Sequence, residues 1–193
     1  MQREHDAVMA AIRGRRSIRS YEDRPLDDGT VQAIIDAGIH APTALGLQPW
    51  QFIVVRDQTL MKQISEYCKP FLRAALRDAT DEASIAYREI LAHEEYDIFY
   101  DAPVLVLVLG DVRNRYSIYD CTLCAGTMML AAHALGVGSC WIGSAEPVSG
   151  SPEFLAALGV PEGWRTVAPI IFGYPKGTPE PQTRRDPVIT WIG

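Results

Sequence analysis

The sequence lacks any apolar run that approaches the roughly 20 residues needed to cross a bilayer. Its first residues, M-Q-R-E-H-D, are charged and carry no apolar segment of the kind found in secretion signals. We therefore expect a soluble, cytoplasmic protein with no membrane partner.

Positive charge is also scarce. The chain has 18 lysine and arginine residues against 24 aspartate and glutamate residues, which gives a formal net charge of −6. A general nucleic-acid binder usually presents a net positive surface, so we expect no nucleic-acid partner. No G-x-G-x-x-G follows a predicted strand, which argues against a Rossmann-type nucleotide-binding protein.

Cysteine is rare, with four residues in a chain of 193, which speaks against a disulfide scaffold. Cys121 and Cys124 do form a C-x-x-C pair. They fall inside a long helical pattern, with no second pair and no histidine at metal-ligand spacing. We interpret them as two small buried helix residues and predict no metal site.

The rest of the composition is typical of a folded domain. Apolar residues make up 48% of the chain, enough for a sizeable core. No repeat or linker divides it, so we expect a single domain over residues 1–193.

Arginine is concentrated at one place, in R-R-S-I-R-S-Y, after a helix predicted over residues 4–13. Gly14 is expected to terminate that helix in a left-handed conformation. The segment offers several fork-shaped donors suited to a phosphate: Arg15, Arg16, Ser17 and Arg19. A solvated basic turn, or arginines paired with Glu22 and Asp23, is the alternative.

A second helix, capped by Asp27 or Asp28, leads into A-P-T-A-L-G-L-Q-P-W and a strand that ends at Val55. Small residues in this loop would let a flat ligand approach closely, and Gln48 offers both a donor and an acceptor. A ligand cradle and an ordinary helix–strand connection both fit this pattern.

The clearest strand is P-V-L-V-L-V-L-G at residues 103–110, which we place at the centre of a sheet covered on both faces. A long helix rich in small residues follows over residues 116–135. A short strand then leads to a second small-residue loop, Ile142-Gly143-Ser144. Another short helix is expected at 152–158 and the last strand at 167–172.

Residues 65–100 are less regular. The helix with Leu60, Ile64 and Tyr67 on one face is predicted to end before Pro70. Residues 71–100 are dense in charge, and we interpret them as a helical excursion, either a lid over a site or a plain surface helix pair. The proline-rich tail carries Arg184 and Arg185 and finishes on apolar residues, which suggests anchoring across a dimer interface.

Several motifs together carry a resemblance to a known family. They are R-R-S-I-R-S-Y, A-P-T-A-L-G-L-Q-P-W, D-A-P-V-L-V-L-V, a helix ending in L-G-V-G, then W-I-G and F-G-Y-P, in that order. This arrangement resembles the FMN-dependent nitroreductase family over nearly the whole chain, with residues 65–100 the least similar.

The resemblance implies an α+β fold, with a mixed, mainly antiparallel sheet wrapped by helices, and a homodimer with intertwined termini. An FMN would lie at each end of the subunit interface. The resemblance implies that the phosphate, ribityl chain and pyrimidine edge contact Arg15, Arg16, Ser17 and Arg19, and that Arg184 or Arg185 also reaches the phosphate. From the partner subunit, the flavin would be contacted by Pro42, Thr43 and Ala44, with Gly46 and Gln48 on the same loop. The isoalloxazine would lie along Ile142 and Gly143.

The implied activity is transfer of electrons from NADH or NADPH through flavin N5 to a flat, electron-poor acceptor such as a nitroaromatic or a quinone. The resemblance requires no acid or base side chain, so no catalytic residue is assigned. Two alternatives stay open. One is a specialised flavin enzyme of the same fold, of the dehalogenase or flavin-processing type, and the other is a slow flavin-binding redox sensor.

One position departs from the family pattern. Gly46 stands where the family commonly has an asparagine that meets the flavin edge. The sequence alone gives no physical reason for glycine there.

Overall fold

A computed structural model describes the backbone of residues 2–193 and the side chains from residue 6 onward. The helices are α1 (Gln2–Gly14), α2 (Asp28–Gly38), α3 (Gln58–Ala75), α4 (Glu82–Ile90), α5 (Ser117–Ala134) and α6 (Pro152–Ala157). The strands are β1 (Trp50–Val55), β2 (Val104–Asp111), β3 (Gly138–Trp141) and β4 (Trp164–Gly173). Short 3₁₀ turns span Ala44–Gly46 and Gly143–Gly150. The expected α+β class is confirmed.

The four strands form one sheet in the order β1-β2-β4-β3, and every strand pair is antiparallel. A mixed sheet was expected, and the parallel contact that the described residues provide is a single bridge between Ser17 and Ser139. The apolar run of β2 lies between two other strands, as its composition predicted.

Side-chain alternation along β2 divides the core into two parts. Leu105, Leu107 and Leu109 face one side, where they pack with α3 residues such as Met61 and Ile64. The intervening residues Val104, Val106 and Val108 face the other side, towards α2 and α5. Both faces of the sheet are therefore covered by helices.

Helix α5 holds the C-x-x-C pair in the second core. Cys121 and Cys124 are fully buried, free thiols, which confirms their interpretation as buried helix residues. Burial raises the pKa of each thiol to about 12, so both stay protonated at neutral pH.

Two predicted helix ends need correction. Helix α3 continues through Pro70 to Ala75 instead of ending before it. Pro70 is exposed, so water can reach the carbonyl that loses its hydrogen bond, while Cys68 and Lys69 on the opposite side are buried. Gly14 closes α1 without a left-handed backbone. Its lack of a side chain matters because a Cβ there would lie 2.7 Å from Nε2 of His133.

The stretch from 65 to 100 packs against the sheet. It contains the last part of α3, all of α4, and the buried residues Leu91, Ile98 and Phe99 of the first core. Whether any part of it closes over a site stays a prediction.

The C-terminal tail is irregular. Its first residues pair with the segment after the arginines, and its last residues are exposed on the single chain, including Val188, Trp191 and Ile192. Within residues 2–193, no helix is long and apolar enough to cross a membrane.

Candidate functional site

The arginine segment, Arg15–Arg19, is positioned by backbone contacts to α1 and β3. Arg15 N donates to Ala11 O at 3.0 Å at the end of α1, and Ile18 N donates to Ser139 O at 3.0 Å. Ile18 is buried against Gly138, where a Cβ would lie 2.9 Å from the isoleucine side chain. Glycine at 138 therefore permits the close approach that aligns the segment with the sheet edge.

The tail closes the other side of this segment. Lys176 N donates to Ser20 O at 3.0 Å, and Tyr21 forms an antiparallel bridge with Pro175. The guanidinium of Arg24 lies 3.7 Å from the ring centroid of Tyr174, which fastens the same junction.

Between the two lies a cavity of about 580 Å³, which we call the arginine cavity. It is lined by Arg15, Arg16, Ser17, Ile18, Arg19, Ser20, Lys176, Gly177, Thr178, Pro179, Glu180, Gln182 and Arg184. The lining carries five cationic side chains and one carboxylate, which favours an anionic ligand.

Arg16 has two kinds of donor in this cavity. Its Nη1 donates to Arg13 O at 2.7 Å, Gly14 O at 3.0 Å and Arg15 O at 2.9 Å, which caps the C-terminal end of α1. Its Nε is buried and has no hydrogen-bond partner among the described residues. A buried donor without an acceptor is unfavourable, and a bound anion would satisfy it.

The ion pairs with Glu22 and Asp23 that the sequence left open as an alternative are absent among the described residues. Across the described part of the chain, no carboxylate lies within ion-pair distance of Arg15, Arg16 or Arg19. The arginines of the cavity are therefore available to an external anion.

Arg184 and Arg185 are separated by the structure. Arg184 lines the arginine cavity, whereas Arg185 does not. Sequence reasoning missed Lys176 and Thr178, which also line it. Their signal was weak, because both lie just beyond the F-G-Y-P motif in a stretch with no periodicity.

Ile142 and Gly143 lie further along the strand that holds the arginine segment. Ser139 pairs with Ser17, and Ile142 is three residues beyond it, about 10 Å at the usual rise of an extended chain. Ile142 is buried and its N–H donates to Pro169 O at 2.8 Å, while Gly143 is exposed. This distance suits an elongated ligand with its anionic end among the arginines.

The Pro42 loop, Pro42–Gln48, is placed elsewhere. None of its residues lines the arginine cavity of the same chain. Its backbone is strained, because Leu45 and Gln48 have φ values of 56° and 47°, in the left-handed region that side chains disfavour. Leu45 and Leu47 are 87% and 56% exposed, so the tip of the loop is an apolar surface.

One buried carboxylate anchors this loop. Ala44 N donates to Oδ1 of Asp120 at 3.1 Å, across 76 residues of sequence. Asp120 is 3% exposed, and its Oδ2 has no partner within the described residues. Asp120 was not among the predicted site residues, since a single acidic residue inside a helical pattern carries no sequence signal.

The conformation at Gly46 supplies the missing reason for glycine. Its φ is 68°, and no atom lies within 4 Å of where a Cβ would be. Glycine and asparagine are the two residues that most readily adopt this backbone conformation. Glycine therefore keeps the loop geometry that asparagine would allow and removes only the side chain.

Comparison with known proteins identifies the family. The model of the nitroreductase family matches residues 12–174 of this chain. The chain belongs to the nitroreductase family.

Solved structures of similar proteins agree. A nitroreductase with bound FMN from Desulfitobacterium hafniense DCB-2 is 28% identical, with a TM-score of 0.81, and covers 97% of this chain and 98% of its own. A nitroreductase with bound FMN from Bacteroides fragilis NCTC 9343 is 29% identical, with a TM-score of 0.79 over 96% of this chain and 98% of its own. A Thermus thermophilus protein named NADH dehydrogenase is 27% identical over 96% of each chain.

In this nitroreductase-family chain, the arginine segment pairs with β3, and Ile142 and Gly143 directly follow that strand. The residues of the Pro42 loop do not line the arginine cavity. The single chain thus presents a cationic cavity and, outside its lining, a loop with exposed leucines.

Proposed function

We propose that this protein is an FMN-dependent oxidoreductase that passes electrons from NADH or NADPH to a flat, electron-poor acceptor of the nitroaromatic or quinone type. The observation that carries the proposal is the arginine cavity, which Arg15, Arg19 and Arg184 line. Among the described residues, no carboxylate lies within ion-pair distance of these three arginines. Membership in a family of oxidoreductases with FMN-bound members supports it.

The residues of the cavity fit the cofactor. The buried Nε of Arg16 needs an acceptor, and the guanidinium groups around it match the geometry of phosphate oxygens. Arg15 and Arg184 would hold the phosphate end, Ser17 a hydroxyl of the ribityl chain, and Arg19 the pyrimidine edge of the ring system. When bound, FMN supplies two-electron chemistry, taking a hydride at N5 and delivering the electrons to a second substrate.

The protein contributes position and charge. Ile142 is fixed by its backbone bond to Pro169, and the exposed Gly143 leaves room for a flat ring system against the backbone. The surrounding cations stabilise added negative charge on a bound ligand. No side chain is needed as a general acid or base, so none is assigned that role.

A second subunit would complete the site. Apolar side chains are exposed on α1 (Val8 59%, Ile12 50%), on α5 (Tyr119 67%, Leu123 49%) and at the end of the tail (Trp191 88%). Surfaces of this kind usually mark protein interfaces. We infer a homodimer in which the Pro42 loop of each protomer, with Pro42, Thr43, Ala44, Gly46 and Gln48, packs on the flavin held by the other.

The test is the visible spectrum of the protein after addition of FMN and removal of free cofactor, followed by anaerobic NADH and then NADPH. A retained flavin spectrum that bleaches within seconds supports the proposal, and the faster donor identifies the physiological one. Retained flavin that neither donor bleaches overturns the NAD(P)H route. No retained flavin overturns the cofactor assignment.

A further inference from the structure

Three tyrosines form a continuous series of contacts, which we call the tyrosine chain: Tyr87 lies in α4, and Tyr96 and Tyr100 lie between α4 and β2. The rings of Tyr87 and Tyr96 pack edge to face with centroids 6.4 Å apart. Those of Tyr96 and Tyr100 do the same at 5.8 Å, and the Tyr96 hydroxyl donates to the Tyr100 hydroxyl oxygen at 3.0 Å. Contacts of this geometry are favourable beyond the area they bury.

The two ends of the tyrosine chain reach two different parts of the candidate site. At one end, the Tyr87 hydroxyl and Oγ of Ser144 are 2.6 Å apart, and Ser144 directly follows Gly143. At the other end, the guanidinium carbon of Arg19 lies 5.9 Å from the centroid of the Tyr100 ring, within the range of a cation–π contact. The tyrosine chain therefore connects the loop after β3 with the arginine cavity.

Tyr100 is held in this place against its backbone preference. Its φ is 57° and that of Asp101 is 52°, both in the left-handed region. Asp97 enforces the turn, because its Oδ1 accepts from Phe99 N at 3.0 Å and its Oδ2 from Asp101 N at 3.1 Å. A bulky residue keeps such a conformation only where its surroundings impose it, and strained residues cluster at functional sites.

The protonation of Tyr96 and Tyr100 is also fixed. Burial raises the pKa of Tyr96 and of Tyr100, so both phenols are neutral and protonated at physiological pH. The Tyr100 hydroxyl oxygen accepts a hydrogen bond from Tyr96, and the proton of the Tyr100 hydroxyl has no acceptor among the described residues.

We propose that Tyr87, Tyr96 and Tyr100 are positioning residues that hold Arg19 and the Gly143–Ser144 backbone in a fixed relation, so that a ligand bridging the two meets both at once. The inference rests on the proposed function, since the ligand it concerns is FMN. A cation held beside the ligand stabilises its reduced, more negative form, so the tyrosine chain would raise the midpoint potential of bound FMN.

The test measures the midpoint potential, absorption spectrum and dissociation constant of FMN in the full-length protein and in single variants. Tyr100→Leu removes both the ring under Arg19 and the terminal hydroxyl. We expect the affinity for reduced relative to oxidised FMN to fall about tenfold, which is a potential about 30 mV more negative. Tyr100→Phe keeps the ring and should shift the potential in the same direction by less.

The opposite end is tested with Tyr87→Phe and Ser144→Ala. Because the two hydroxyls bond each other, each change should shift the potential and the flavin absorption maximum similarly, and the double variant should match the single ones. Tyr67→Phe is the control, since Tyr67 packs on Phe71 and Phe154 in the same core but its hydroxyl takes no part in the chain. It should behave as the wild type.

Potentials and spectra for the chain variants that equal those of Tyr67→Phe would overturn the inference, even where thermal stability falls, because the tyrosines would then only pack. That result leaves FMN binding and the proposed function intact. A wild-type protein that takes up no FMN overturns the proposed function, and the inference with it.

Discussion

The arginine segment and the Pro42 loop are both short connections that follow a helix, yet they are built in opposite ways. The arginine segment is fixed to β3 and to the tail by backbone hydrogen bonds, and its cations face a cavity of the same chain. The Pro42 loop has a strained backbone, exposed leucines and one carboxylate as its distant anchor.

This difference indicates which part of the proposed FMN site a single chain provides on its own. An anion site needs converging donors, and the arginine cavity already has them. An apolar, strained tip gains stability only when another surface covers it. We therefore expect the first segment to determine cofactor affinity and the second to determine what contacts the cofactor.

The largest expected effect concerns the arginine segment. Arg19→Ala removes a cation that has no carboxylate partner among the described residues. It should weaken FMN binding by on the order of 2 kcal/mol or more, about 30-fold, because charge-assisted bonds to the cofactor are lost. Equilibrium titration of the FMN-free protein measures it. Arg73→Ala, an exposed arginine on α3, is the matched control and should leave affinity unchanged. Full FMN retention by Arg19→Ala would refute the assignment.

The next largest effect concerns the anchoring of the Pro42 loop by Asp120. Asp120→Ala leaves Ala44 N without its acceptor, so hydrogen exchange in the peptide that spans the Pro42 loop should quicken about tenfold. Asp120→Asn retains an oxygen acceptor and should exchange nearly as slowly as the wild type. Equal exchange rates in all three proteins would show that the carboxylate does not anchor the loop.

A smaller effect concerns the loop backbone alone. Gly46→Val places a β-branched residue at a φ of 68° and should lower the free energy of unfolding by about 1–2 kcal/mol. Gly46→Asn suits the same conformation and should cost only a few tenths of that. Urea unfolding measures both. Similar losses for the two variants would mean that the left-handed backbone is not the reason for glycine.

The smallest effect concerns Arg113, an arginine that is paired with a carboxylate. Arg113 and Asp111 line a groove with Leu45 and Gln48, and hydrogen bonds from Arg113 lower the pKa of Asp111 to about 2. A carboxyl whose pKa is lowered in the folded state stabilises the folded protein at pH values above the pKa of about 4 that this carboxyl has in the unfolded chain. This stabilisation should be lost as the pH falls from about 4 towards 2. Asp111→Asn should lack that part of the pH dependence, and an unchanged acid limb would contradict the pairing.

The sequence predicted those elements whose signal is local. The apolar run at β2 indicated a central strand because only a core on both faces accommodates unbroken apolar residues. Gly136 follows α5 with a φ of 73°, a left-handed conformation that is common just after a helix. The end of α3 was missed, since tertiary burial around Lys69 outweighs the local effect of Pro70.

The site shows the same limit. The arginines could be found because several cations in a short segment of an acidic protein are conspicuous. Asp120 and the tyrosine chain could not, because each depends on contacts across tens of residues, such as Tyr87 with Ser144 across 57. Lone residues acquire a role only when the fold brings them together.

The most direct test of the central claim is an experimental structure of the complete protein bound to FMN. We expect the phosphate in the arginine cavity beside Arg15 and Arg184, with Arg19 at the pyrimidine edge. The ring system should lie along Ile142 and Gly143, with the Pro42 loop of a second protomer against it. A phosphate bound away from these arginines, or a flavin contacted by the Pro42 loop of its own chain, would contradict the account.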